Sequence, residues 1–256
     1  SLEMVFLFGS LDPIARSHDE AAYQLQAGIF ASGRWTAPAP PLPEFFEQYH
    51  VLVTPVLASK YPPGNSLLMA PGAAAGLPAL ASVVCAGVAA GFLFLLARRF
   101  SNPWVAMLAW LFWTSAPGTL RYLPGYLSEN VTLALWLVGW WGLANWREKG
   151  GARWLSVFAV AVAWSALTRP FTTLAYAATG GAFVLLQVAR RRSYRDLARA
   201  CIPALAILLI LPIWSRATTG PGGGDPYRLW ARTYLPVDRP GFGVDSAPQP
   251  LRELPP

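Results

Sequence analysis

The sequence has 256 residues, of which 54% are hydrophobic and only 13% are charged, and it carries a net charge of +7. Soluble domains usually contain about 25% charged residues, so this deficit excludes an ordinary soluble protein and indicates an integral membrane protein. The positive charge does not indicate a nucleic-acid partner, because the arginines stand between apolar runs, where membrane topology explains them.

The chain opens with an apolar run at residues 2–10 that is too short to cross a membrane. We expect this run to be the clipped end of a helix, and the chain to be a fragment of a longer protein. A polar stretch at residues 17–64 follows. Within it, residues 19–33 place apolar side chains at helical spacing and predict an amphipathic helix at the membrane interface, capped by Ser17 or His18.

The remainder of this polar stretch predicts a loop with local structure of its own. Prolines crowd residues 36–44, which excludes a helix or a central strand there. Residues 50–59 predict a hairpin that turns at Thr54-Pro55. A proline pair then suits the start of a second short helix at residues 65–76.

Long apolar runs dominate the rest of the chain and predict membrane helices. They lie at residues 78–97, 103–116, 129–146, 154–168, 171–189 and 201–215. We therefore predict an all-α integral membrane protein, a multi-span helical bundle whose first outer loop carries short interfacial helices. The predicted transmembrane domain covers residues 1–216, with the outer loop at 17–77, and residues 217–256 form an outer-face tail that begins a truncated segment.

The orientation follows from the loops at 98–102, 147–153 and 190–199, which concentrate the basic residues. These are Arg98, Arg99, Arg147, Lys149, Arg153, Arg190, Arg191, Arg192, Arg195 and Arg199. Short loops rich in Lys and Arg stay in the cytoplasm. The sequence therefore predicts that residues 17–64 and the tail beyond Arg216 lie on the non-cytoplasmic side.

The acidic pair Asp19 and Glu20 is the candidate catalytic group. Acidic residues at a helix start often only complement the helix dipole. This pair, however, directly follows a predicted span at the outer surface, where few other carboxylates are predicted. A carboxylate there can take a proton from an acceptor hydroxyl or amine.

Lys60, Arg121 and Arg169 are the candidate anion-binding residues, since the predicted topology puts all three on the side of the acidic pair. A lone interfacial lysine is ordinarily a snorkelling anchor. Arg169, in contrast, stands at a helix end near the membrane core, where a cation needs a partner or a water-filled cavity. Together the three predict a clamp for a lipid phosphate.

The histidines and cysteines suggest no further chemistry. His18 and His50 lack the spacing of metal ligands, so the sequence predicts no metal site and no required cofactor. A divalent ion is compatible with the chemistry, but no ligand set stands out. Cys85 and Cys201 lie inside apolar runs and predict buried thiols of the core.

The order of these motifs resembles the GT-C superfamily of membrane glycosyltransferases. The resemblance rests on two motifs: the acidic pair in Ser17-His18-Asp19-Glu20 and, before the next span, Lys60-Tyr61-Pro62-Pro63-Gly64. Within that superfamily the chain is similar to protein O-mannosyltransferases and bacterial aminoarabinose transferases, over roughly residues 10–215.

This resemblance implies transfer of a sugar from a polyprenyl-phosphate donor to a lipid, glycan or protein acceptor. It implies Asp19 as the base, Glu20 as its support, and Lys60, Arg121 and Arg169 as ligands of the leaving phosphate. The expected location is a bacterial plasma membrane, with the active loop facing the periplasm or outside. The alternatives from the residues alone are a transporter or flippase of a lipid-linked anion, and a non-catalytic scaffold.

Overall fold

The computed structural model describes residues 14–123 and 125–235, and it confirms the predicted all-α bundle. The predicted segment at residues 2–10 and the end of the tail lie outside the described residues. The helices are α1 His18–Ala31, α2 Gly64–Ala74, α3 Leu80–Phe100, α4 Pro103–Ser115, α5 Pro117–Tyr122, α6 Ser128–Lys149, α7 Ala152–Thr168, α8 Pro170–Arg191, α9 Tyr194–Leu208, α10 Ile210–Thr219 and α11 Pro226–Tyr234.

The first outer loop contains the predicted capped helix and hairpin, whereas its proline-rich stretch forms short elements that the sequence does not predict. The Ser17 hydroxyl caps α1 by accepting from the Glu20 amide. Strands β2 (Val51–Leu52) and β3 (Val56–Ser59) form the predicted antiparallel hairpin. The proline-rich stretch contributes β1 (Ala37–Pro38), which pairs with the other side of β3 and is therefore an edge strand, followed by a 3-10 helix at Pro43–Phe46.

Three helical segments among the described residues are long and apolar enough to cross a membrane: α3, α8 and the run Tyr194–Thr219, which joins α9 and α10. The last begins earlier than predicted and is correspondingly longer. The predicted helices at 103–116, 129–146 and 154–168 form as α4, α6 and α7. The 13 residues of α4 reach only about 20 Å, less than the ~30 Å of a bilayer core.

The core of the bundle lies where α6, α7, α8 and α9 meet. Leu143, Phe158 and Tyr176 are buried there, and Tyr176 stacks on Trp136 with ring centres 4.8 Å apart. Gly139 and Gly180 allow this close packing, because a Cβ at either position would overlap an aromatic ring of the neighbouring helix.

The basic loops and the first outer loop lie at opposite ends of α6. At its C-terminal end, Arg99 pairs with Glu148 at 2.6 Å, and the Arg191 guanidinium donates to the Arg147 carbonyl at 2.9 Å. At the other end lie α1 and the first outer loop. This arrangement agrees with the predicted separation of the two groups, although the side of the membrane that each faces stays a prediction.

Candidate active site

An open cavity of about 460 Å³ lies at the end of the bundle opposite the basic loops. It is lined by residues from α1, from the loop after β3, from the start of α6, from the junction of α7 and α8, and from the start of α11. Its charged and phenolic residues are Asp19, Tyr23, Tyr61, Glu129, Arg169, Asp225 and Tyr227.

The KYPPG segment is held against the end of α7 by its glycine. A Cβ on Gly64 would lie 2.8 Å from the Leu167 carbonyl, so only glycine allows the two backbones to approach this closely. The Gly64 carbonyl in turn accepts from the indole of Trp164 at 3.1 Å. This contact brings Tyr61 and Pro62 to the same cavity as Arg169.

Asp19 is in the first turn of α1, and its side chain is 42% exposed. Its Oδ1 accepts a hydrogen bond from the Tyr61 hydroxyl and lies 3.1 Å from Nε2 of His50. Burial, and then the hydrogen bond to Asp19, raise the pKa of Tyr61. Tyr61 therefore keeps its proton at neutral pH and donates this hydrogen bond, and the Asp19 carboxylate accepts it.

Glu20 has a different environment, since only 4% of it is exposed. Its Oε2 accepts from the Arg16 amide at 2.6 Å and its Oε1 from the Tyr126 amide at 3.1 Å. It is not among the described residues that line the cavity. These contacts join the start of α1 to the segment before α6, and they give the buried carboxylate a structural function.

Arg169 lies between the last residue of α7 and the first of α8. Its backbone amide donates to the Ser165 carbonyl at 2.7 Å, and its carbonyl accepts from Thr173, so the residue joins the two helices. The guanidinium forms an ion pair with Glu129 and lines the cavity. The sequence predicts that a cation here needs a partner or a water-filled cavity, and Arg169 has an ion-pair partner and lies at a cavity.

Lys60 and Arg121 are placed differently from Arg169. Only 3% of Lys60 is exposed, and its ammonium lies 3.7 Å from the centre of the Trp230 ring and 4.2 Å from that of Tyr227. Arg121 is exposed on α5, 5.9 Å from the Tyr122 ring. Among the described residues, the cavity lining includes neither. The structure therefore brings Asp19 and Arg169 together and leaves the other two predicted cations outside.

His50 and Tyr61 are the contacts of Asp19 that sequence reasoning missed. The sequence predicts His50 only as the start of a hairpin, without the spacing of a metal ligand, and Tyr61 only as part of KYPPG. The available signal was Tyr61 itself, an aromatic donor inside a motif already assigned to the site. In the part of the chain that the structure describes, no group of three or more His, Cys, Asp or Glu side chains could hold a metal ion.

Comparison with protein families matches the chain to the family described as dolichyl-phosphate-mannose-protein mannosyltransferase, over residues 72–215. These residues are more than half of the chain. The chain belongs to this mannosyltransferase family. The predicted resemblance is confirmed, and the protein is a membrane glycosyltransferase of the GT-C type.

Membership of the mannosyltransferase family favours a transferase over the alternative of a transporter or a flippase. The matched residues include Arg121, Glu129 and Arg169, whereas Asp19 and Lys60 precede them. The assignment of the acidic pair therefore depends on the geometry of the cavity and not on the match. No curated protein matches the chain, and no solved structure does.

Proposed function

We propose that this glycosyltransferase moves a sugar from a polyprenyl-phosphate donor to a lipid, glycan or protein acceptor on the non-cytoplasmic face of a bacterial plasma membrane. The observation that carries the proposal is that a carboxylate, Asp19, and a guanidinium, Arg169, line one cavity at the end of the bundle opposite the basic loops. A lipid-linked donor requires a base and a phosphate ligand together at the membrane surface.

Asp19 is the base in this proposal. Its carboxylate takes the proton of the acceptor hydroxyl or amine while that oxygen or nitrogen forms a bond to the anomeric carbon of the sugar. The bond between the anomeric carbon and the phosphate oxygen breaks, and its electron pair leaves with the polyprenyl phosphate. In this proposal side chains supply the base and the phosphate ligand; a divalent ion is compatible with the chemistry but is not required.

Arg169 holds the leaving phosphate in this proposal. A guanidinium offers parallel N–H donors that match two phosphate oxygens, and it stabilises the charge that develops on them. The donor phosphate would replace Glu129 as the partner of Arg169. Phe171, which lines the same cavity and is 75% exposed, provides apolar surface for the first isoprene units of the lipid.

Transfer of label from dolichyl-phosphate-mannose, radiolabelled in the sugar, into membranes that contain the full chain tests this function. Asp19→Asn keeps the size of the side chain and its ability to accept a hydrogen bond, but it loses the basic oxygen. We expect transfer to fall by ~10²–10⁴-fold, the usual contribution of a general base. Glu44→Gln is the matched control, because Glu44 is exposed in the same loop and outside the cavity lining.

One result would contradict the assigned base, and another would exclude one donor. Full transfer by Asp19→Asn would show that Asp19 is not the base and that the acidic pair only begins helix α1. Absence of transfer by the wild-type chain, with the donor intact and the protein folded in the membrane, would exclude dolichyl-phosphate-mannose as a donor.

A further inference from the structure

One oxygen of the Asp19 carboxylate is held by two side chains from the first outer loop. Oδ1 accepts from the Tyr61 hydroxyl and lies 3.1 Å from Nε2 of His50. A carboxylate has only acceptor sites, so the histidine nitrogen that faces it carries a proton. Both contacts go to Oδ1, and Asp19 also lines the cavity, which leaves Oδ2 as the oxygen available to an acceptor.

The position of His50 is determined by the loop around it. Its backbone has a φ of 69°, a left-handed conformation that a residue other than glycine adopts only when its surroundings hold it there. Its carbonyl accepts from the Lys60 amide at 2.9 Å, which closes the base of the β2–β3 hairpin. Its ring lies 5.5 Å from that of Tyr61 and 5.4 Å from that of Trp230.

We propose that His50 is a positioning residue for the base: it orients Asp19 through Oδ1, and its own charge acts on proton transfer to the carboxylate. This proposal rests on the proposed function, since it assumes that Asp19 takes the proton of the acceptor. His50 does not itself line the cavity among the described residues, so it acts through Asp19 and not on the substrate.

The charge of His50 affects the rate in a direction that can be predicted. Among the described residues, the titratable side chains in contact with the imidazole include Asp19 from α1, Tyr61 from the segment after β3, and Tyr49 beside it. The Trp230 ring of α11 also packs against the imidazole and covers the Lys60 ammonium. A protonated imidazole attracts the Asp19 carboxylate, so its charge opposes transfer of the acceptor's proton to that carboxylate. Transfer should therefore rise as the pH increases and the imidazole loses its charge.

Two substitutions of His50 separate orientation from charge. His50→Gln retains an N–H donor at about the position of Nε2 but cannot titrate, whereas His50→Ala removes the donor. An imidazole ordinarily titrates between about pH 5 and 8. We expect the wild-type kcat to rise across this interval and the His50→Gln profile to be flat. His50→Ala should lower kcat by about 10-fold, less than the loss of the base itself, with the donor KM within about twofold of wild type.

His18→Gln is the matched control for these measurements. His18 is the only other histidine of the chain and lies next to Asp19 in sequence. It should keep the wild-type pH profile, because its ring contacts Tyr49 and not Asp19. Wild-type kcat and pH profile in both His50 variants, while Asp19→Asn is inactive, would overturn the role of His50 and leave the proposed function intact.

A second measurement does not depend on transfer. With two histidines in the chain, the His50 imidazole can be assigned by NMR through comparison with His18→Gln, and its titration can be followed in detergent micelles. Loss of the adjacent anion in Asp19→Asn should lower the titration midpoint of His50 by about one pH unit. An unchanged midpoint would show that the two side chains are not coupled, and it would overturn the proposal whatever the donor is.

Discussion

The ammonium of Lys60 lies 3.7 Å from the centre of the Trp230 ring, although the two residues are far apart in the sequence. The Tyr227 ring adds a second aromatic face at 4.2 Å. A desolvated contact between a cation and an aromatic face contributes about 2 kcal/mol. The contact therefore fastens the tail helix α11 to the first outer loop, where Trp230 also packs on Leu52.

Trp230→Ala should release α11 from the outer loop. Truncation of a buried tryptophan costs about 3–5 kcal/mol, which exceeds the stability expected of a nine-residue helix by itself. We expect trypsin to cleave at Arg228 and Arg232 much faster than in the wild type, as measured by mass spectrometry. Trp104→Ala, on the exposed face of α4, is the control. Equal cleavage of the Trp230 variant and the wild type would show that α11 does not depend on this contact.

Substitution of Arg169 should weaken donor binding more than substitution of Lys60. Arg169→Gln removes a charged hydrogen bond to phosphate, worth about 1.5–3 kcal/mol, so the donor KM should rise by about 10-fold or more. Lys60→Met keeps the packing of the aliphatic stem and removes only the charge. In the wild type this charge is covered by the rings of Tyr61 and Tyr227. The effect of Lys60→Met on KM should be smaller. A larger increase in the donor KM for Lys60→Met than for Arg169→Gln, in the same transfer assay, would assign the phosphate contact to Lys60.

Glu20 should affect stability more than catalysis. In the wild type, each oxygen of the Glu20 carboxylate accepts a hydrogen bond from a backbone amide. Glu20→Gln keeps one of these oxygens and replaces the other by an NH₂ group, which leaves one amide without an acceptor. The free energy of unfolding should therefore fall by about 1–3 kcal/mol. Gly125→Ala should act on the same contact, because its Cβ would overlap Oε1 of Glu20. Thermal unfolding in detergent measures both. Gly118→Ala, where a Cβ meets open space, is the control. A loss of transfer in Glu20→Gln as large as in Asp19→Asn, without loss of stability, would assign a catalytic role to Glu20.

The predicted topology can be tested with single cysteines. Ser32 follows α1 in the outer loop, and Ser193 lies between α8 and α9 at the basic end of the bundle. In a background with Cys85 and Cys201 replaced by alanine, Ser32→Cys should react with a membrane-impermeant maleimide from the non-cytoplasmic side and Ser193→Cys from the cytoplasmic side. Labelling of both from one side would exclude the topology, and with it the location of the proposed reaction.

Several features of the fold were predictable because they depend on neighbouring residues. Helical periodicity located α1, and Ser17 was one of two predicted caps. Long apolar runs located α3 and α8, while the distribution of arginines indicated which loops lie together. The length of the last span was underestimated, because its first turns carry charged residues that end an apolar run but do not end a helix.

The amino-acid sequence by itself determined that this is a helical membrane protein, where its longer helices lie, and that an acidic pair opens the first helix of the outer loop. Only the tertiary structure decided which side chains meet. Asp19 and Arg169 line one cavity, His50 and Tyr61 hold Asp19, and Lys60 is covered by rings of the tail helix. The physical reason is that helix formation and membrane insertion depend on local composition, whereas these contacts form only when the outer loop folds back on the bundle.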